Sequence, residues 1–206
     1  MYKYPIIVFE GIEASGKSFH IRNLQNHLKK NKVKFIKLRE PGGSKNSEKI
    51  RKFILSNNSN FKSLTDLFLY MAARNENFQN IINKNYKKKL ILIDRFTDST
   101  IAYQHYGMNL NKKLIINLNK IILKNIKPSF TFLNIVSMKN LKSRLNKRPK
   151  NRYDKFNLKF YNKVQKGFIM LSKNKKNYMI INSNNKISEN KKMILKKINS
   201  LLSLWQ

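Results

Sequence analysis

The chain has 206 residues, with 44 Lys+Arg against 10 Asp+Glu, a formal net charge of +34 and 41% hydrophobic residues. That apolar share excludes a disordered basic tail, the lack of cysteine excludes a disulfide scaffold and thiolate metal sites, and the length fits one domain, 1–206, with a real core. Lysines are spread along the whole chain among asparagines and isoleucines, so the charge reads as compositional drift and not as the clustered face of a nucleic-acid-binding protein.

The apolar run Ile6–Glu10 reads as a short buried strand. It is followed by Gly11-x-x-x-x-Gly16-Lys17-Ser18, a spacing that matches a phosphate-cradling loop. Such a loop wraps a polyphosphate in backbone N–H groups and a lysine, while the serine hydroxyl meets magnesium. Lys17–Lys30 reads as a helix, with Ile21, Leu24 and Leu28 on one face, so the loop lies between strand and helix as the motif requires. Residues 33–38 form a second predicted strand, ended by the breaker Glu40-Pro41-Gly42-Gly43. Stretches 47–55 and 64–82 predict helices; 90–93 and 130–136 predict strands. A further helix starts over 138–144, and 178–181 and 189–204 predict a last strand and a last helix. This alternation implies a three-layer α/β domain, a parallel sheet flanked by helices.

Four of the six glycines fall at Gly11/Gly16 and Gly42/Gly43, loops that follow strand ends, where open parallel sheets bind ligands. Asp94 closes the strand 90–93. It reads either as a cap for the next segment or, beside the Ser18 hydroxyl, as a magnesium-side acid; the phosphate loop favours the second.

The chain resembles the thymidylate kinases. The resemblance rests on Phe9-Glu10-Gly11-Ile12-Glu13-Ala14-Ser15-Gly16-Lys17-Ser18, Arg39-Glu40-Pro41-Gly42-Gly43 and Tyr70-Met71-Ala72-Ala73-Arg74. It continues in Asp94-Arg95-Phe96-Thr97-Asp98-Ser99 with Ala102-Tyr103-Gln104, and in Leu141-Lys142-Ser143-Arg144 before a basic stretch. It implies a phosphate-loop kinase fold with a small mobile lid over about 144–155, and transfer of the ATP γ-phosphoryl group to dTMP, giving dTDP. A homodimer in the cytoplasm is implied with it; the chain shows no apolar run of membrane length and no signal-peptide pattern. A relaxed nucleoside monophosphate kinase is the alternative enzyme, and a basic nucleic-acid-binding protein on the same fold the alternative of another class. A regulatory GTP-binding protein is disfavoured, since no Asn-Lys-x-Asp motif is present.

On this resemblance Gly11, Ile12, Glu13, Ala14, Ser15, Gly16, Lys17 and Ser18 would hold the ATP phosphates, with Lys17 on the β/γ oxygens. Arg144 would pack against adenine. Ser18 and Asp94, with Glu10, form the Mg²⁺ side. Arg39 and Arg95 would clamp the dTMP phosphate in bidentate fashion, and Glu13 would meet the 3′-hydroxyl. Tyr70 stands where the family usually stacks a phenylalanine on thymine. Arg74 would reach the thymine O4; Ser99, Thr100 and Gln104 would complete the acceptor side, and Tyr103 would crowd the 2′ position. The phosphate loop has no arginine, so Arg148 and Arg152 are the expected catalytic lid arginines of the bacterial type.

Departures from the family pattern cluster late in the chain. The lid motif Asp-Arg-Phe-Glu is here Asn151-Arg152-Tyr153-Asp154, a strand that usually ends Leu-Asp reads Leu133-Asn134, and the adenine-side loop 182–185 matches nothing assignable.

Overall fold

β1 (Ile6–Glu10) is buried along its whole length because it lies at the centre of a five-stranded sheet. The computed structural model describes residues 4–147 and 151–204. β3 (Leu90–Asp94) and β4 (Phe130–Ile135) flank β1; β2 (Phe35–Arg39) lies outside β3, and β5 (Tyr178–Asn182) outside β4. Every pair is parallel, with Phe9 opposite Asp94 and Glu10 opposite Leu133. Both sheet faces are covered, so β1 is apolar up to Glu10 and β3 up to Asp94, while β4 buries Thr131 and Asn134 among its apolar residues. Ile7, Phe9, Leu92 and Phe132 pack on Ile21, Leu24 and Leu28 of α1 (Lys17–Lys30) and on Ile194 and Ile198 of α9 (Ile187–Ser203). Ile6, Val8, Ile91 and Ile93 pack on the opposite side against Phe78, Ile82 and Phe96. Each such side chain contributes about 1.5–3 kcal/mol of burial, so this double-faced core holds the central strands rigid.

The remaining helices sort between the two faces. α2 (Lys45–Leu55) packs along α3 (Ser63–Asn77), which runs on as a π-helical turn, Phe78–Ile82, into α4 (Asn83–Asn85). α5 (Thr97–Thr100) likewise continues as a π-helix, Ile101–Gly107, against α8 (Leu158–Ser172). α6 (Lys112–Leu123), α7 (Met138–Leu145) and a 3₁₀ turn, Arg152–Lys155, complete the order.

The expected strands and helices are present with shifted ends. The second strand starts at Phe35 and not at 33, because the Val33 N–H bonds the Leu28 carbonyl and closes α1. The helix expected over 64–82 is one rod, but its last turn is wound to i→i+5. The helical segments from Thr97 to Gly107, Lys112–Leu123 and Leu158–Ser172 lie where the sequence reading assigns no element. α6 is crowded with isoleucines, which favour strands on propensity alone, and the π-helix breaks the 3.6 period. α8 did carry the helical signal, in Tyr161, Val164 and Phe168. Among the described residues no helix is long and apolar enough to cross a membrane.

Candidate active site

The carboxyl ends of β1, β2 and β3 deliver Glu10, Arg39 and Asp94 to one edge of the sheet, and the loops beyond them surround a cleft of about 220 Å³. The first wall is the loop between β1 and α1. Gly11 has φ 133°, and a Cβ there would lie 2.2 Å from the carbonyl oxygen of Asn134 on β4, so only glycine fits this crossing. The Lys17 ammonium is buried and donates to the carbonyls of Gly11 (2.9 Å) and Ile12 (2.7 Å). Burial, then the Arg95 charge, pulls its pKa down to about 7.

Against this loop, Arg95 follows β3 in a left-handed conformation, φ 66°, strained for a residue with a Cβ. Its backbone N–H bonds the Phe9 carbonyl, and its guanidinium donates to the Gly11 carbonyl (2.8 Å) and the Glu13 carboxylate (2.9 Å). Arg95 also lies over the Tyr103 ring, whose hydroxyl donates to the other Glu13 oxygen. Burial works to raise the Glu13 pKa, but Arg95 and Lys17 outweigh it and hold the carboxyl below its usual range. Lys17, Arg95 and Glu13 thus form one cluster of two cations and one carboxylate at the meeting of the two loops.

Asp94 and Ser18 both line the cleft, and Asp94 Oδ1 is buried without a hydrogen-bond partner. An orphaned carboxylate oxygen and a serine hydroxyl lining one cleft are a donor set suited to a hard divalent cation and its water. Glu10, the third metal-side candidate, is corrected by the geometry. Its oxygens accept from the Phe96 and Ser99 N–H groups (2.9 and 3.1 Å) and from the Ser99 hydroxyl, so it caps α5 and does not line the cleft. Burial, then the Asp98 charge, raises its pKa to about 7.

Arg39 requires a second correction. It sits at the end of edge strand β2, half-exposed, and pairs with Glu48 in a fork at 2.9–3.3 Å, outside the lining of the cleft. Arg51 occupies the cleft instead, donating to the Pro41 carbonyl at 2.6 Å from the last turns of α2. The fold brings it there through the Glu40–Gly43 turn: Glu48 accepts from the Gly43 N–H, and Ser47 exchanges hydrogen bonds with Gly42. Arg51 is one of only eight arginines in a lysine-dominated chain, the signal that could have flagged it.

The acceptor end of the cleft is lined by Tyr70, Arg74, Ser99, Thr100, Tyr103 and Gln104, all expected there. Arg74 is 2% exposed and is held mainly by the protein itself. It bonds Glu40 at 2.7 Å, the Asn119 side chain at 2.6 Å and the Phe96 carbonyl at 3.0 Å, leaving only a long contact to the Met71 sulfur at 3.9 Å. Its N–H toward that weak acceptor is the one a ligand carbonyl could take. Burial keeps the Glu40 pKa raised against the pull of Arg74. The Gln104 Nε2 is buried without a partner, a donor waiting for an acceptor.

Arg144 links the phosphate loop to the loop after β5, donating to the Ala14 carbonyl (3.1 Å) and the Ser183 carbonyl (2.8 Å); the Ser183 hydroxyl donates to the Ser15 carbonyl. The drifted 182–185 loop therefore seats on the phosphate loop despite its unfamiliar sequence. Arg148 lies outside the described residues. Arg152 departs from its expected place: its guanidinium is bound to Asp66 on α3 at 2.6 and 2.7 Å, and it is not among the residues that line the cleft. Asn151 and Tyr153 beside it line the cleft, a role the sequence did not reveal.

A glycine loop joining a central parallel strand to a helix, a lysine within it, an acid at the neighbouring strand end and arginines lining the same cleft define a phosphate-loop kinase of nucleotides. Residues 9–194 match the family model described as thymidylate kinase. The thymidylate kinase of Sulfurihydrogenibium sp. is 35% identical over 92% of this chain and 94% of its own length. That of Wolbachia pipientis is 39% identical over 79% and 82% respectively. The crystal structure of thymidylate kinase from Ehrlichia chaffeensis superposes with a TM-score of 0.76 at 29% identity, covering 95% of this chain and 98% of that one. The chain belongs to the thymidylate kinase family.

Proposed function

We propose that this enzyme transfers the γ-phosphoryl group of ATP to the 5′-phosphate of dTMP, forming dTDP for DNA synthesis. The observation that carries the reading is the placement of three cationic side chains, Lys17, Arg95 and Arg51, on one short cleft whose other end is lined by Tyr70, Arg74, Thr100 and Gln104. Phosphoryl transfer needs positioning and charge neutralisation more than covalent help. On ATP binding Lys17 exchanges its two loop carbonyls for phosphate oxygens, the loop N–H groups hold the β-phosphate, and Arg144 steadies the adenine side. Arg95 and Arg51 orient the acceptor phosphate in line. Glu13, fixed by Arg95 and Tyr103, accepts from the 3′-hydroxyl, and Tyr103 excludes a 2′-hydroxyl. Tyr70 stacks on thymine, with Arg74, Thr100 and Gln104 toward its polar edge and Ser99 supporting Arg95. Mg²⁺, held by Ser18 and Asp94, would supply charge neutralisation between the phosphates. With Arg152 committed elsewhere, Arg148 is the lid arginine assigned to the donor side. The chain acts as a single kinase domain in the cytoplasm, where both nucleotides are supplied. Exposed Phe53, Leu64 and Phe68 on α2 and α3 support a homodimer.

The test is a coupled assay of ADP release with dTMP, dUMP, dCMP, dGMP and AMP as acceptors. Turnover with dTMP well above every other acceptor is expected. Equal use of AMP or dCMP would refute the assigned base pocket, and salt-sensitive DNA binding without turnover would refute the kinase.

A further inference from the structure

Arg152 and Tyr153 are held by a single buried carboxylate that none of the roles above uses. Asp66, in the first turn of α3, is 3% exposed. It accepts two hydrogen bonds from Arg152 and a third, at 3.1 Å, from the Tyr153 hydroxyl. The Arg152 guanidinium also lies over the rings of Phe61 and Tyr153, at 5.4 and 5.1 Å from their centres. The turn these residues occupy is closed locally by a capping box between Asn151 and Asp154, and the Tyr153 carbonyl accepts from Tyr161. Asp66, Tyr70 and Arg74 follow one another at i, i+4 and i+8, so one face of α3 bears the carboxylate, the ring expected under the base and the guanidinium behind it.

Tyr153 meets Tyr70 and Tyr103 edge-on, at 6.2 and 6.0 Å between ring centres. Tyr103 in turn holds Glu13. A continuous contact path thus runs from Asp66 through Tyr153 and Tyr103 to the carboxylate assigned to the acceptor sugar. A carboxylate this buried, accepting three charge-assisted or hydroxyl bonds at one point, pins its partners far more firmly than an exposed ion pair does.

We infer that Asp66 is a positioning residue for the acceptor site: by holding Arg152 and Tyr153 against α3 it sets the aromatic wall that orients dTMP and keeps water from the donor phosphate. The inference rests on the kinase reading, and wild-type turnover with dTMP tests that reading separately. The variants are Asp66→Asn, Arg152→Gln and the double mutant, compared for both Michaelis constants, for kcat and for ATP hydrolysed per dTDP formed. Either single change should raise KM for dTMP about tenfold, leave KM for ATP within about twofold, and raise the share of ATP lost to water. The double mutant should be no worse than the worse single, because both remove one shared contact. Arg152→Lys keeps the charge, and both Asp66 oxygens are reached here by a single guanidinium nitrogen, so an ammonium can meet the carboxylate and should recover part of the dTMP affinity. Should Asp66→Asn fail to fold, the Arg152→Gln and Arg152→Lys pair decides alone. Additive effects, unchanged dTMP affinity in both Arg152 variants, or a collapse of kcat at constant KM in Arg152→Gln with a normal Asp66→Asn would each overturn the inference. The last result would return Arg152 to the transferring phosphate.

Discussion

Replacing Lys17 with methionine separates what the buried ammonium does for catalysis from what it does to stability. Its pKa of about 7, against an ordinary 10.5, arises from burial and then from Arg95. At about 1.36 kcal/mol per unit, keeping this charge in the folded state costs on the order of 4 to 5 kcal/mol at or below pH 7. The sign follows from proton counts. Between pH 7 and 10.5 the unfolded chain holds a proton that the folded one has released, so stability rises with pH through that window and the penalty is gone above it. Methionine removes the penalty and also removes the donors to the Gly11 and Ile12 carbonyls, which costs about 1–3 kcal/mol for each carbonyl left without a partner. The two effects nearly cancel, so Lys17→Met should be about as stable as the wild type at pH 7, or up to ~3 kcal/mol more stable. Turnover should fall by about 10² to 10³, the loss expected when one strong donor to a developing phosphate charge is removed. Urea denaturation from pH 6 to 10 and steady-state kinetics check both. A variant at least 3 kcal/mol less stable than wild type at pH 7, retaining the wild-type pH slope, would refute this account of Lys17, and near-normal turnover would refute its place on the phosphates.

Two further outcomes are expected. Arg51→Ala should raise KM for dTMP at least about tenfold with a small effect on KM for ATP, since it removes the cleft guanidinium proposed to orient the acceptor phosphate, whereas Arg39→Ala should leave both nearly unchanged; steady-state titration of each nucleotide distinguishes them. Glu10→Gln should flatten the acid side of the stability profile. The Glu10 carboxyl, raised to about 7 by burial and Asp98, makes the wild type lose stability as pH rises from 4.5 to 7, and an amide removes that slope while keeping an acceptor for the Phe96 N–H.

The sequence by itself determined the parts of this protein that depend on neighbours along the chain. The glycine loop needs only a strand before it and a helix after it, and both were written in local apolar patterns. Asp94 and Arg95 were legible because a strand end is a position in the chain. The ring at Tyr70 and the polar groups from Ser99 to Gln104 were legible because short motifs hold them together. Tertiary structure decided where Arg39, Arg51, Glu10 and Arg152 go. Arg39 and Arg51 lie twelve positions apart, and only the Glu40–Gly43 turn, tied down by Ser47 and Glu48, decides that Arg51 enters the cleft while Arg39 pairs with Glu48 outside it. Glu10 lines up with metal-side residues in sequence, yet its carboxylate is taken by N–H groups 86 and 89 residues away. Arg152 is 86 residues from Asp66, and no local pattern announces that pairing. A flexible cation with several possible partners goes where an acceptor completes its hydrogen bonds, and the fold alone decides which carboxylate or carbonyl is within reach.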